Sequence, residues 1–549
     1  MRYINSIFSF NALILCITGI IFGLSFPPVN FHYLIFLSLA SYISIIIHCD
    51  TYTQVAGKSF IIFLFAGLTG ISWIALSGFR EGADWFIIIG GLFTIFFHTI
   101  FYIIPSLLFF FIYKNTQNIK IKYLYLILFP FIWVGFEYLQ TLGQINFPWL
   151  IVAYTQTYNI DKIQISDITG MFGVSFWICI ISVSINYVIS LYRNGKYNLK
   201  SYKLYIFLFL IVTVYLLPSF YKSDYKTEVS EKSLNVGIIQ PNINPWKKWG
   251  ARFKELNLDY ITQFNELAKD SSLSLIVLPE TAFPFYLRYE YYDDQYIMFK
   301  KEIDSSGIPL LTGSPDLYIY KNNEPIPSDA RKFNESGDFY DVFNSALLIK
   351  PHEPKDSIVI YNKIKLVAGS ERMPYQEKLT FLRDLIKWGV GLSAFQNGRD
   401  TVLFEIENTK FNTAICYESV FPAFVSEFVK RGSEFIVIIT NDGWWGDLPG
   451  TYQHNQYAVF RSIENRRWIV RCANTGISCF ISPEGKIFDE TKINEKISIK
   501  GKIYPLSELT FYTKYGDWLA EICLYIILLT VFSILIMKVS KKLFLKKLH

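Results

Sequence analysis

No CxxC pair and no Cys/His spacing of the kind that holds zinc occurs in this chain, so a structural metal centre of that type is excluded. No metal or other cofactor is expected. The seven cysteines, Cys16, Cys49, Cys179, Cys416, Cys472, Cys479 and Cys523, are scattered, and four of them lie in or beside apolar runs, where a small buried hydrophobe is the ordinary reading. Charge is scarce too, at 18% of residues against 52% hydrophobic and 18% aromatic. Such a chain is too apolar for average globular usage and reads first as a membrane protein. The formal net charge of +6 sits in a few short basic clusters, which excludes a broad nucleic-acid surface.

What is present is a series of long apolar stretches. A crossing of the hydrocarbon core needs about 20 such residues. Residues 4–26, 31–48, 59–76, 85–113, 123–139, 168–192, 204–220 and 518–537 meet that requirement closely enough to be read as eight spans. The first has only Arg2 in front and no A-x-A-like cleavage site, so it reads as retained. Basic residues then set the orientation. Lys114, Lys120 and Lys122 follow the fourth stretch, Arg193, Lys196, Lys200 and Lys203 follow the sixth, and Lys538, Lys541, Lys542, Lys546 and Lys547 follow the last. With eight spans and an inside N-terminus all three clusters are cytoplasmic, as the positive-inside rule asks. The expected organisation is a seven-span membrane domain (1–222), an extracytoplasmic domain (233–505), and a C-terminal span with a basic tail (506–549).

In the polar part, the runs LNVGIIQ (234–240), LSLIVLPE (273–280) and EFIVIITND (434–442) alternate with helical patterns, which indicates an α/β domain. Phe253, Leu256, Tyr260, Phe264 and Leu267 recur at spacings of three and four and predict one apolar helix face between the first two strands. Residues 316–339 read as a surface excursion.

Three residues could carry chemistry. Cys416 ends the strand-like run FNTAIC (411–416) before a helix expected over 421–430. A thiol at such a turn sits near helix-start N–H groups, which lower its pKa and can bind an oxyanion. Glu280 closes LPE after an apolar run, and Lys363 alternates with Ile364 and Leu366 at a strand end; alone, each reads first as an ordinary surface residue. A carboxylate base, a thiol nucleophile and a cation form a workable set for attack on a carbonyl, but spacing does not show that they meet.

At these residues the chain resembles the nitrilase, or carbon-nitrogen hydrolase, superfamily, whose members carry Glu, Lys and Cys in this order. LPET around Glu280, YNKIKLV followed by Glu371 and Pro374, CYE at 416–418, NDGWWGD at 441–447 and HNQYAVFRSIENRRWIVRCANTGIS at 454–478 extend the match. With the apolar stretches and INFPWLIVAYTQ (145–156), the chain is similar to the apolipoprotein N-acyltransferases. The resemblance implies a multi-pass α-helical membrane domain joined to an α/β domain built as an α-β-β-α sandwich, in a bacterial inner membrane with the catalytic domain facing the periplasm.

It also implies a reaction: acyl transfer from a membrane phospholipid, through a Cys416 thioester, to the α-amino group of the lipidated N-terminal cysteine of diacylglyceryl-modified apolipoproteins. Glu280 would be the general base and Lys363 the stabiliser of the tetrahedral intermediate, helped by the Tyr417 N–H. Glu371, Tyr417 and Glu418 would shape the site. Trp249 would lie near the pocket and Trp445 on a mobile arm, although interfacial anchoring explains either tryptophan as well. Glu137, near the end of the fifth stretch, is assigned to structure or headgroup contact. Where relatives carry a Pro-Phe-Gly-Glu-Tyr run this chain has Ala368, Gly369, Ser370, Glu371 and Arg372, so a different loop shape is expected around Glu371. Cys472 and Cys479 fall on opposite faces of an extended segment and are expected to be buried. A membrane-tethered amidase and a non-catalytic lipid-binding or transport protein are the competing readings.

Overall fold

β-Branched and aromatic runs bounded by Gly, Pro, Asn and Asp form two sheets in the polar part of the chain. A computed structural model describes all residues except 1–9, 117–122, 197–200, 224, 226–231, 250–252, 322, 334–335, 379–394 and 549. The start of the first expected span and Lys120, Lys122 and Lys200 therefore lie outside the described residues.

The first sheet runs in the order Ile497–Ile503, Leu234–Gln240, Leu273–Val277, Leu310–Ile319 and Phe339–Ile349, with Arg331–Lys332 and Val359–Asn362 both paired to the last of these. The second runs Ile487–Phe488, Cys479–Ile481, Ile469–Ala473, Phe435–Thr440, Thr409–Ile415 and Phe404–Ile406. Both have parallel centres, and their inner faces share one core in which Val236, Ile238, Leu275 and Val277 meet Phe411, Ile415, Val437 and Cys472. Parallel strands buried on both faces need helical cover. The expected apolar stripe supplies it on the first sheet, where Tyr260 and Phe264 of helix Phe253–Ala268 join Phe299 and Ile303 of helix Asp293–Ser306. Val425 and Val429 of helix Pro422–Lys430 and Ala458 of helix Pro449–Asn465 cover the second. The layers are helix, sheet, sheet, helix.

One expectation is corrected at 316–339. Pairing of Asp316 with Phe343 through Ile319 with Tyr340 continues the strand, so its first four residues belong to a long hairpin, not to an excursion. The polar composition misled because these outer hairpin positions face solvent on one side.

Among the described residues five helices are long and apolar enough to cross a membrane: Tyr52–Gly70, Phe86–Thr116, Ser166–Arg193, Tyr202–Phe220 and Trp518–Leu543. Three shorter apolar helices, Ala12–Leu24, Leu34–Ile47 and Leu124–Leu139, complete a bundle around an aromatic core of Phe22, Phe63, Tyr102 and Trp133. Glu137 is fully buried in that bundle, where it accepts from Trp133 Nε1 at 2.9 Å and from the Val152 N–H at 2.8 Å. Its place is structural: it ties helix Leu124–Leu139 to the turn at Val152–Gln156.

Candidate active site

Three strand ends from the two facing sheets converge. Glu280 follows strand Leu273–Val277, Lys363 follows Val359–Asn362, and Cys416 follows Thr409–Ile415. Lys363 is 1% exposed; its Nζ lies 3.2 Å from Glu280 Oε1 and 2.8 Å from Glu371 Oε1. Asn344 Nδ2 donates to the same two carboxylates at 2.8 and 3.0 Å, and the Asn441 N–H donates to Glu280 Oε2 at 3.0 Å. Both Glu280 oxygens are thus held, which fixes the direction of the carboxylate. Burial works to lower the Lys363 pKa, but the carboxylates of Glu280 and Glu371 outweigh it and hold the ammonium well above the usual lysine range.

Cys416 has φ +52°, in the left-handed region that a non-glycine residue enters only where surrounding contacts enforce it. A short 3-10 turn, Cys416–Val420, follows it and leads into helix Pro422–Lys430. The expected lowering of the thiol pKa by this helix start is not what the structure gives. Burial raises it well above the ordinary value, the Glu280 and Asp442 charges add to the rise, and Lys363 opposes it. Desolvation of a thiolate between two carboxylates outweighs a few N–H dipoles.

Glu418 staples the Cys416 turn to the Lys363 loop. Its Oε1 accepts from the Tyr361 hydroxyl at 2.7 Å and the Ile364 and Lys365 N–H groups at 2.7 and 3.1 Å, while Oε2 accepts from the Ile415 N–H at 2.8 Å. Burial pushes its carboxyl up to about 7, against those donors. Tyr417 hydrogen-bonds the Asn146 carbonyl through its hydroxyl at 2.9 Å, which binds the site to the membrane bundle. Glu371 reaches the site although its neighbours depart from the resemblance: Oε2 accepts from the Val367 N–H at 2.8 Å, and Arg372 pairs with buried Asp329, anchoring the altered loop from outside. Trp445 packs edge-to-face with Trp73, Trp149 and His454, with ring centroids 4.7, 5.7 and 5.7 Å away. Trp249 closes the short helix Pro245–Lys248, and its Nε1 is buried without a hydrogen-bond partner among the described residues.

Several functional neighbours were missed from the sequence. His454 Nε2 lies 3.1 Å from the Cys416 carbonyl and 3.0 Å from Ser419 Oγ, and its Nδ1 lies 2.8 Å from Asp442 Oδ1. Arg471 Nη2 donates to Asp442 Oδ2 at 2.7 Å. Burial works to raise the Asp442 pKa, but Arg471 and His454 hold it far below the carboxylate range. The signal existed, since Asp442, His454 and Arg471 all lie within the quoted motifs, but no spacing rule says they touch. Cys416 Sγ, an Asp442 oxygen and a His454 nitrogen fall within 4.8 Å of one another, a grouping that could be taken for a metal site. Arg471, 3.2 Å from His454 Nδ1 as well, already places a cation there, so this is an ion-pair network supporting the Cys416 turn. Cys472 and Cys479 are free and buried, the first between the sheets and the second against the outer helices.

Comparison with known proteins follows the two halves of the chain. Residues 18–184 match the family model described as the apolipoprotein N-acyltransferase N-terminal domain, and residues 235–501 match carbon-nitrogen hydrolase. The apolipoprotein N-acyltransferase of Chlorobaculum tepidum is 29% identical over 520 residues, 92% of this chain and 93% of that protein. That of Geobacter metallireducens is 30% identical over 403 residues, 72% of each. That of Rickettsia typhi is 28% identical over 533 residues, 95% of this chain and 98% of its own.

Proposed function

The chain belongs to the apolipoprotein N-acyltransferase family, and from that premise we propose that Glu280, Lys363 and Cys416 carry its transfer of a fatty acyl chain from a membrane phospholipid to a lipoprotein amine. In the first half-reaction Glu280 takes the Sγ proton as Cys416 attacks the ester carbonyl. The tetrahedral oxyanion lies toward Lys363 and the Tyr417 N–H. Collapse expels the lysophospholipid alkoxide, which recovers the proton from Glu280 and leaves a thioester. In the second, the α-amino group of the lipidated N-terminal cysteine attacks the thioester, Glu280 accepts its proton, and the thiolate leaves and is reprotonated as the amide forms.

The observation that carries this reading is the convergence of the three groups, with Glu280 hydrogen-bonded on both oxygens and Cys416 on a strained turn packed against the membrane bundle. Glu371, Tyr417 and Glu418 shape the site. Trp249 and Trp445 border it on the lipid side, and Trp445 is an arm that opens for lipid. The family places the enzyme in a membrane. We read the eight apolar helices as eight spans, with the catalytic domain (233–505) on the periplasmic side of a bacterial inner membrane and the basic clusters in the cytoplasm. The donor is a phospholipid and the acceptor a diacylglyceryl-modified apolipoprotein.

The test is intact mass of the purified protein after incubation with phospholipid vesicles. A gain of one fatty-acyl mass, absent in Cys416→Ala and discharged by a diacylated lipopeptide bearing a free amine, is expected. Discharge by water alone, with no lipopeptide product, would reassign the domain to hydrolysis.

A further inference from the structure

Lys248 lies outside the three residues that the proposed mechanism uses, and its surroundings are unusual for a lysine. It ends helix Pro245–Lys248, whose start Asn244 caps by accepting from the Trp246 N–H at 2.9 Å. Asn474 pins the preceding loop, donating to the Ile243 carbonyl at 2.7 Å and accepting from the Ile243 N–H at 3.1 Å. Held in that place, Lys248 is 1% exposed. Its Nζ donates to the Thr281 carbonyl at 2.6 Å and to the Thr281 hydroxyl at 2.9 Å, both neutral acceptors. A buried ammonium without a hydrogen-bonded carboxylate is expensive, so chains rarely keep one for packing alone. Burial pulls its pKa down to about 7, and the charge that resists this is Glu280.

The acceptor is as informative as the donor. Thr281 directly follows Glu280 and has φ +47°, a left-handed backbone on a β-branched residue. On its other side the loop is packed against Gly313, where a Cβ would lie 2.4 Å from the Thr281 nitrogen and 2.7 Å from Glu280 Cα. Gly313 also donates its N–H to the Pro279 carbonyl at 3.2 Å. The peptide carrying Glu280 is therefore gripped between a glycine backbone and a buried cation.

We propose that Lys248 is a positioning residue for the general base: its ammonium clamps the strained Thr281 and so holds the Glu280 carboxylate aimed at Cys416, with a second positive charge behind it. This rests on the reading of Glu280 as the base. The charged and titratable groups around that carboxylate are Lys363 and Lys248 as cations, Glu371 sharing Lys363, and the Cys416 thiol with Asp442 beside it. Of these only Lys248 touches the Thr281 backbone.

The experiment is the rate of Cys416 acylation by phospholipid, read by intact mass across pH on the full-length protein in detergent. Lys248→Met is expected to slow acylation at least about tenfold at neutral pH. It should also displace the acid limb of the profile to higher pH, because loss of a buried positive charge beside a carboxylate favours its protonation. The deficit should shrink as pH rises, and Lys248→Arg should restore part of the native limb. Thr281→Val, which removes only the hydroxyl acceptor, should move the limb in the same direction by less, and it decides the matter if Lys248→Met does not fold. A uniform slowing at every pH, or a native profile, overturns the inference and leaves Lys248 a space-filling residue. Glu280→Gln separates the two layers: native acylation in that variant removes the base reading itself, whereas loss there beside a native Lys248→Met profile removes only the clamp.

Discussion

Because burial and the Glu280 and Asp442 charges raise the Cys416 thiol well above its ordinary value, the proposed nucleophile rests as a protonated thiol at neutral pH. The proton must leave during attack, which is why a directed base is needed next to it. Alkylation of Cys416 by iodoacetamide should then rise about tenfold per pH unit through the neutral range, with no plateau below about pH 9. Timed intact-mass measurements check this, and a plateau already reached near neutrality would show a preformed thiolate and remove the need for Glu280. Lys363→Met should slow alkylation further at a given pH, since Lys363 is the charge that opposes the rise. The residue types of this site were readable, because Glu280, Lys363 and Cys416 each stand where an apolar run meets a polar loop. Their meeting was not readable. Asn344, in a strand, and Asn441, just past the end of another, hold Glu280 in place from 64 and 161 positions away in sequence, and no local pattern encodes that distance.

Helix Pro449–Asn465 shows the same limit at the scale of an element. Its sequence carries Gln453, His454, Arg461 and Glu464, and by periodicity such residues form a solvated face. All four are buried, because the helix lies between the second sheet and the membrane bundle. Gln453 accepts from the indoles of Trp73 and Trp149 at 3.0 and 2.6 Å and donates to the Pro27 and Gly70 carbonyls at 2.9 and 3.1 Å. Tyr457 stacks on Tyr154 at 3.7 Å between ring centroids. Arg461 pairs with Glu464 in two contacts of 2.7 and 2.9 Å, and Glu464 also accepts from the Met171 N–H at 2.9 Å. Breaking one half of such a buried pair costs about 3–5 kcal/mol, whereas replacing both halves by apolar groups is far milder. Glu464→Leu alone should accordingly lower the thermal midpoint in detergent more than Arg461→Met with Glu464→Leu together, with the orphaned Met171 N–H common to both. Equal losses would mean that the Met171 contact, and not the ion pair, holds the helix. The strands and the helix Phe253–Ala268 were legible for the opposite reason: the strands are short continuous apolar runs buried on both faces, and the helix repeats near 3.6 because one face is buried.

For the molecule as a whole, the sidedness of the domain depends on which apolar helices cross. The apolar part of helix Trp518–Leu548 lies between the catalytic domain and the basic residues at the helix's far end, so Lys541 and Lys542 must lie opposite that domain if this helix spans. Lys203 stands in the first turn of Tyr202–Phe220, at the end away from the domain, whereas Lys114 is separated from the domain by three helices, among them Leu124–Leu139. That 16-residue helix, like the shorter Ala12–Leu24 and Leu34–Ile47, is a weak point in the count. It rises about 24 Å, short of a hydrocarbon core of roughly 30 Å, so it crosses only with local thinning or with help from the turn that Glu137 ties to its end. A membrane-impermeant amine reagent applied to sealed right-side-out vesicles, followed by peptide mass mapping, reads each of these steps separately. Exposed Lys321 in the catalytic domain should be modified, and Lys203, Lys541 and Lys542 spared, with the pattern reversed in inverted vesicles. Lys114 then decides the short helix: spared with Lys203, it places Leu124–Leu139 across the membrane, and modified together with Lys321, it leaves that helix buried in the bundle without crossing and reduces the number of spans.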